Sequence, residues 1–253
     1  MIFDLSVSTK PKPKPRVIIY GGPGLGKTTF GRNSEKPVMI LTEDGCPHGI
    51  PKIPTEGKLE NWEDIIGAVR YLLEEDHDRE SVVIDTLNGA EDLCRQYICD
   101  KHFGGRWMPE RGKDGFMQWG QGDKMTAGEF KRLLTGLDML RTKKDMRVIL
   151  LAHEGLQKCA NTFGDDYHRI GGDMNKWTWA MCMKWADHIG HATKDVMAVV
   201  KQGEKKAVAR GDNERWCYFE GSPGRDAKSR VSYEMPEKIK FSYFEYMRAQ
   251  EEA

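Results

Sequence analysis

The chain has 253 residues, of which 39% are hydrophobic, so it is long enough to bury a substantial core as one large α/β domain. Its 39 Lys and Arg residues balance its 39 Asp and Glu residues, which excludes a global basic field and leaves any contact with nucleic acid to local patches. The sequence predicts no signal peptide and no membrane span, and six scattered cysteines without a C-x-x-C pair indicate a reduced, cytoplasmic compartment.

The N-terminal segment predicts a short strand followed by a stiff connector. Residues 1–8 alternate apolar and polar side chains, and residues 10–16 alternate lysine or arginine with proline. Each proline disfavours helix at the residue before it, so the connector is expected to be extended. It is interpreted as an electrostatic arm for DNA, a strap for a neighbouring subunit or a solvated linker.

A phosphate-binding loop follows the apolar run at residues 17–20. The pattern G-x-x-x-x-G-K-[ST] is matched at Gly21, Gly26, Lys27 and Thr28. Glycines without Cβ let backbone N–H groups converge on phosphate oxygens, Lys27 would reach the β- and γ-phosphates, and Thr28 would hold Mg²⁺. The predicted nucleotide-binding residues are Gly21, Gly22, Pro23, Gly24, Leu25, Gly26, Lys27, Thr28 and Thr29.

Two further apolar runs predict buried parallel strands that end in carboxylates. Residues 36–41 lead to Glu43 and Asp44, and residues 81–84 lead to Asp85. Ligands in open α/β sheets bind at the carboxyl ends of the strands. Glu43 is therefore the predicted general base, with Asp44 the reserve and a solvated Asp-Gly turn the alternative, and Asp85 is predicted to hold Mg²⁺ through water.

The region between residues 87 and 144 predicts two helices, at 89–101 and 127–140, joined by a mobile loop in which Gly, Arg, Lys and Trp interleave. This loop could stack bases or pack its tryptophans under itself. Cys94, Cys99 and His102 could be offered as zinc ligands, but half-buried cysteines on one helix explain their spacing better.

Residues 146–154 predict another buried strand, and His153 emerges at its carboxyl end, where it could sense the γ-phosphate or serve as a structural histidine. Residues 155–175 read as a long loop without regular structure. A helix at 176–186 is followed by a predicted β-hairpin at 196–210, a third antiparallel strand at 215–220, and a basic, Gly-rich turn at 221–230. That turn is either solvated or a cationic finger at the tip of the ribbon.

Residues 15–240 together resemble the RecA superfamily, in particular small phage-encoded ATPases of the single-strand-annealing (Sak-type) branch. The resemblance implies an α/β fold with a RecA-like P-loop NTPase core, a mostly parallel central sheet and a C-terminal antiparallel β-ribbon. It places the ATPase domain at residues 17–240, after the connector at 1–16 and before a C-terminal tail at 241–253. ATP and Mg²⁺ are the implied cofactors.

The family motif also assigns site residues by resemblance. Glu43 matches the catalytic glutamate, Asp85 the Walker B aspartate and His153 the γ-phosphate sensor. Lys228 and Arg230 resemble the paired K-x-[KR] finger that RecA-like assemblies insert into a neighbour's nucleotide site, which implies a homo-oligomeric ring or filament. The segment after His153 lies where RecA-type proteins hold DNA.

The implied activity is ATP-dependent binding of single-stranded DNA with annealing or strand pairing, beside a phage single-strand-binding protein and without a membrane. A helicase loader, or a nucleotide-gated ATPase whose partner is a protein, remains the alternative. DNA-dependent stimulation of ATP hydrolysis would separate the two hypotheses.

Overall fold

The structure of the chain is a computed structural model that describes residues 12–45, 49–161, 164–200 and 207–252. The strand predicted at residues 1–8 and the hairpin turn predicted near residue 203 lie outside these ranges. No helix of the described ranges has the length and apolarity needed to cross a membrane.

Strands and helices alternate through the first two thirds of the chain. The strands are β1 (Arg16–Gly21), β2 (Pro37–Leu41), β3 (Lys52–Ile53), β4 (Ser81–Asp85), β5 (Arg147–Cys159), β6 (Tyr167–Gly172), β7 (His188–Val200), β8 (Ala207–Tyr218), β9 (Lys228–Ser229) and β10 (Lys238–Lys240). The helices are α1 (Lys27–Arg32), α2 (Trp62–Glu74), α3 (Leu87–Phe103), α4 (Gln121–Lys143), α5 (Lys176–Trp185) and α6 (Tyr243–Glu251).

The strands form one sheet in the order β10-β8-β7-β1-β5-β4-β2-β3, with β6 paired to β5 and β9 paired to β7. The pairs from β7 to β3 are parallel, whereas β8 and β10 are antiparallel to their neighbours. This confirms the predicted fold class, a mostly parallel α/β sheet with antiparallel strands at its C-terminal end. The carboxyl ends of β1, β2, β4 and β5 therefore meet at one edge of the sheet.

Both faces of the parallel strands are covered, which explains why these strands read as continuous apolar runs. In β1, Ile18 and Tyr20 pack in the core beneath α2, α4 and α5, whereas Val17 and Ile19 pack in the second core with α1 and α6. The segment 241–253, predicted to be a tail, contributes α6 to this second core. There the fully buried Tyr246 lies edge-on to Phe30 of α1.

The prediction of an irregular loop at residues 155–175 is wrong, because β5 continues to Cys159 and turns back as β6 in an antiparallel hairpin. Polar side chains occupy both faces of this hairpin, so the apolar alternation that marks a strand is missing. Its glycines allow close packing at its base, where a Cβ on Gly155 would meet Asp173 at 2.8 Å. We call β5 from Glu154 onward, together with β6, the β5–β6 hairpin.

The prediction of a separate third antiparallel strand at residues 215–220 is also wrong, because residues 215–218 form the end of β8. β8 pairs with β7 along almost its whole length and with β10 at its end. Cys94 and Cys99, which the sequence offered as zinc ligands, are both fully buried on α3. Within the described ranges, no group of three or more His, Cys, Asp or Glu side chains is placed to hold a metal ion.

Candidate active site

The loop between β1 and α1 has the glycine geometry that a phosphate loop requires. A Cβ on Gly21 would lie 2.2 Å from the carbonyl oxygen of Ala192 on β7, so no larger residue fits there. Gly24 and Gly26 adopt φ angles of +72° and +97°, which side-chain-bearing residues rarely take. The sequence therefore folds into this loop because its glycines stand where strand packing and backbone conformation demand them.

Lys27 begins α1 and is 94% buried, with a relative exposure of 6%. Its Nζ donates to the carbonyl oxygens of Gly21 at 2.8 Å and Gly22 at 2.9 Å, so the side chain folds back over the loop. Burial lowers the Lys27 pKa below its ordinary value, although Asp85, Glu154 and Glu43 counteract that effect. The ammonium group thus lies at the loop, where these three carboxylates attract its positive charge.

Thr28 and Asp85, the two predicted magnesium residues, are in direct contact. The Thr28 hydroxyl donates to Oδ2 of Asp85 at 2.8 Å. Burial raises the pKa of Asp85, an effect that this hydrogen bond opposes. A hydroxyl and a carboxylate side by side are hard oxygen ligands, so this pair would fit a Mg²⁺ ion.

Glu43, which follows β2, and His153, the last residue of β5 that pairs with β1, are also brought together. Nε2 of His153 lies 2.9 Å from Oε2 of Glu43, and the hydroxyl of Thr86 donates to Oε1 of the same carboxylate at 2.5 Å. Burial alone would raise the Glu43 pKa, but the hydrogen bonds from His153 and Thr86 outweigh it and hold the pKa below its ordinary value. Glu43 is therefore ionised at neutral pH.

These groups line one cavity of about 240 Å³ at the carboxyl edge of the sheet. Its lining residues are Pro23, Gly24, Gly26, Lys27, Thr28, Glu43, Asp44, Gly45, Asp85, Thr86 and His153. The other predicted nucleotide-binding residues do not line the cavity. Gly21, Gly22 and Leu25 belong to the same loop, and Thr29 is exposed in the first turn of α1. A larger groove of about 790 Å³ runs beside β3 and contains no residue of this site.

Sequence reasoning did not assign a role to Asn88 at the start of α3, which links the site to the β5–β6 hairpin. Its Oδ1 accepts the backbone N–H of His153 at 2.7 Å, and its Nδ2 donates to the carbonyl of Asp173. The backbone N–H of Asp173 in turn donates to the His153 carbonyl at 2.9 Å. The two contacts of Asn88 join residues 65 and 85 positions apart, so no local sequence pattern predicts them.

Lys228 and Arg230 are not part of this chain's own site. Nζ of Lys228 donates to the carbonyls of Met183 at 2.7 Å and Ala186 at 2.8 Å, and Arg230 donates to the carbonyl of Lys184, so both cap the end of α5. The placement of this segment at the tip of the ribbon is wrong. It follows the end of β8, and β9 pairs with the first residues of β7, beside the beginning of β1.

Two more side chains at the loop were missed by sequence reasoning. Glu154 accepts from Nε2 of His191 at 3.0 Å, and its Oε1 would lie 3.2 Å from a Cβ on Gly22. Arg215 of β8 donates from Nη1 to the carbonyl of Leu25 at 3.0 Å. Both depend on strand register between distant segments, which the sequence alone does not reveal.

Comparison with known proteins gives a family and a distant structural likeness. A family model described as an AAA domain matches residues 13–231. No match was found among curated proteins. Among solved structures, the chain is similar to that titled "Crystal structure of the RadB recombinase", at 13% sequence identity and a TM-score of 0.44, over 92% of this chain and 90% of that one.

Proposed function

The chain belongs to the AAA domain family, and from that premise we propose that it hydrolyses ATP with Mg²⁺ and uses the cycle to hold single-stranded DNA for annealing or strand pairing. The observation that supports the ATPase proposal is that two hydrogen-bonded pairs of side chains line the same cavity. Thr28 at the start of α1 contacts Asp85 at the end of β4, and Glu43 after β2 contacts His153 at the last parallel-paired residue of β5, so both pairs lie at the phosphate loop. Such a site combines phosphate binding, metal binding and a base.

Each residue has a separate task in this proposal. Lys27 leaves the carbonyls of Gly21 and Gly22 and binds the β- and γ-phosphates, so its charge moves from the loop to the ligand. Thr28 and Asp85 would hold Mg²⁺, which supplies neutralisation of the charge that develops on the phosphate oxygens. Glu43 is ionised and orients a water molecule through the oxygen lone pairs that His153 and Thr86 leave free.

The hairpin provides a route from nucleotide to DNA. His153 contacts Glu43 through its side chain, while its backbone is bonded to Asn88 and Asp173 at the base of the β5–β6 hairpin. A shift of the Glu43–His153 pair on binding of a γ-phosphate would therefore move the base of the hairpin. The hairpin itself is solvent-facing, with Leu156 68% exposed.

The loop that joins α3 to α4 supplies a surface for bases. The sequence left open whether its tryptophans stack bases or pack, and the two tryptophans differ. Trp107 packs against Phe116 with ring centroids 4.7 Å apart, whereas Trp119 is 89% exposed at a φ of +55°. An exposed indole held in an unusual backbone conformation suits stacking on single-stranded bases.

Positive charge lies close to this loop. Gly120, the neighbour of Trp119, approaches the ring of Trp177, and the ammonium groups of Lys124 and Lys176 lie 5.5 Å and 4.5 Å from that ring's centroid. Cations close to aromatic side chains are the combination that binds a single strand without sequence preference.

Trp119→Ala tests the DNA proposal. We expect it to weaken single-stranded DNA binding about tenfold or more and to leave ATP hydrolysis without DNA unchanged, because it removes a stacking platform outside the nucleotide site. Phe244→Ala is the matched control, since Phe244 is a 71% exposed aromatic on α6. Binding should also weaken steeply between about 50 and 200 mM salt as counterions are released.

The outcomes separate the two functional hypotheses. Stimulation of ATP hydrolysis by single-stranded DNA that Trp119→Ala reduces supports the proposal. ATP hydrolysis that ignores DNA, together with salt-insensitive or absent DNA binding, would contradict it and favour the helicase-loader or protein-partner alternative. In that case Trp119 and its exposed neighbours Met108 and Met117 would be a protein contact.

A further inference from the structure

Arg215 lies against the phosphate loop from the side opposite to the acidic residues. Its Nη1 donates to the carbonyl of Leu25 at 3.0 Å and would also lie 3.0 Å from a Cβ on Gly26, so the guanidinium rests on the two residues that precede Lys27. Strand pairing fixes the backbone of Arg215. The residue pairs with Lys194 of β7, and its backbone carbonyl accepts a hydrogen bond from the N–H of Phe241.

The order of strands separates Arg215 from the hydrolytic groups. β1, which carries the loop, has β5 on one side and β7 on the other. Asp85 and His153 come from β4 and β5, whereas Arg215 comes from β8 beyond β7. A phosphate chain that crosses the loop would therefore have its hydrolysed end beside Glu43 and His153 and its other end beside Arg215.

The guanidinium has capacity for a ligand. A guanidinium offers five N–H donors. Across the described part of the chain, the side chain of Arg215 makes one hydrogen bond, to Leu25, and no ion pair. By contrast, two lysines of the neighbouring strand β10 form ion pairs, Lys240 with Glu214 at 3.1 Å and Lys238 with Asp195 at 3.5 Å. Arg215 is also exposed to solvent beside the phosphate loop.

We propose that Arg215 binds the α- and β-phosphates of the nucleotide in cis, as a second cation of the site beside Lys27. A guanidinium matches phosphate oxygens with parallel N–H bonds, which a lysine ammonium does not. The proposal rests on the proposed nucleotide binding and adds a residue to it. Because Arg215 acts away from the hydrolysed phosphate, it contributes to ATP and ADP binding alike.

Nucleotide titrations of Arg215→Ala and Arg215→Lys provide the test. We expect Arg215→Ala to weaken binding of both ATP and ADP roughly 10- to 100-fold, because charge-assisted hydrogen bonds are lost. Arg215→Lys should retain part of the affinity. Lys240→Ala is the matched control on the neighbouring strand and should bind as the wild type does. Circular dichroism of each variant establishes that it is folded.

Mixing distinguishes action in cis from action in trans. A chain with Arg215→Ala and a chain with Lys27→Ala each lack one cation of their own site. At an ATP concentration too low to saturate Arg215→Ala, a mixture should hydrolyse no more ATP than the two chains do separately if Arg215 works in cis. Recovery on mixing would overturn the proposal, as would wild-type affinity of folded Arg215→Ala or a loss confined to ATP. Failure of the wild-type chain itself to bind ATP or ADP would instead overturn the proposed function.

Discussion

At the scale of single residues, the phosphate loop contains glycines that are required for two different reasons. Gly21 is required because β7 passes so close that a Cβ would collide with a backbone carbonyl, which cannot move without shifting the strand. Gly24 is required by its φ of +72°, although a Cβ there would meet no atom within 4 Å. The two positions therefore separate steric crowding from backbone strain.

We predict that Gly21→Ala lowers the free energy of unfolding by about 2 to 3 kcal/mol, the cost of overpacking a site that cannot relax. Gly24→Ala should lower it by about 1 kcal/mol, the cost of a left-handed conformation for a residue with a Cβ. Urea denaturation of the two variants beside the wild type measures both values. Equal losses would show that crowding by Ala192 does not constrain the loop.

At the scale of elements, the predictions succeeded where a pattern was local and failed where it depended on pairing. The strand ends at Glu43 and Asp85 could be placed because parallel strands share one carboxyl edge. The β5–β6 hairpin was missed because a two-stranded ribbon with polar residues on both faces has no periodic apolar signal. The contacts of Asn88 and Arg215 were missed because they arise only once distant strands are in register.

The junction of β7, α6 and the segment near Tyr233 contains a buried histidine that makes stability depend on pH. Nδ1 of His188 lies 2.7 Å from the hydroxyl of Tyr246, and its Nε2 bonds to the carbonyl of Tyr233. Burial lowers the pKa of His188 to about 4, against the hydrogen bond to that carbonyl. The histidine is therefore neutral in the folded chain and gains a proton on unfolding below its ordinary pKa near 6.5.

This linkage gives a prediction with a definite sign. The stability that neutral His188 provides is present above pH 6.5 and is lost as the pH falls toward 4, so it should contribute about 2 kcal/mol to the loss of stability between about pH 7 and pH 5. His188→Gln keeps a donor for the Tyr233 carbonyl and an acceptor for Tyr246, and it should lose less stability over that range. Urea denaturation at both pH values measures the difference.

The exposed His102 on α3 supplies the control. His102→Gln should retain the acid dependence of the wild type. If His188→Gln and His102→Gln lost stability equally with pH, the buried histidine would not be the origin of the effect.

In the chain as a whole, the Lys228–Arg230 segment lies apart from the proposed nucleotide site. Both cations cap the end of α5, beside the first residues of β1, whereas the phosphate loop follows the last residue of β1. A role for them in hydrolysis would therefore require a neighbouring subunit. Arg230 is 40% exposed at its side chain and shares Asp187 with Arg16 and Arg141, so it has more freedom to serve a neighbour than the two-carbonyl cap formed by Lys228.

We predict that Arg230→Ala leaves ATP affinity nearly intact and lowers hydrolysis in the assembled protein, because a finger supplied in trans acts on the developing phosphate charge. A mixture of Arg230→Ala and Lys27→Ala chains should regain part of the activity, since an intact loop on one chain meets an intact arginine on the other. Steady-state ATP hydrolysis of the mixture measures this. Mixed oligomers that form without recovery would remove the trans role and leave Arg230 as a helix cap.

The proposed reaction is ATP hydrolysis in the cavity at the carboxyl edge of the sheet, with Glu43 as the base. The most direct measurement follows bound ATP and its hydrolysis in the same sample of Glu43→Gln, with Asp44→Asn as the neighbouring control. We predict that Glu43→Gln binds ATP as the wild type does and hydrolyses it about 100-fold or more slowly, while Asp44→Asn hydrolyses it normally. Hydrolysis by Glu43→Gln at the wild-type rate would show that Glu43 is not the base.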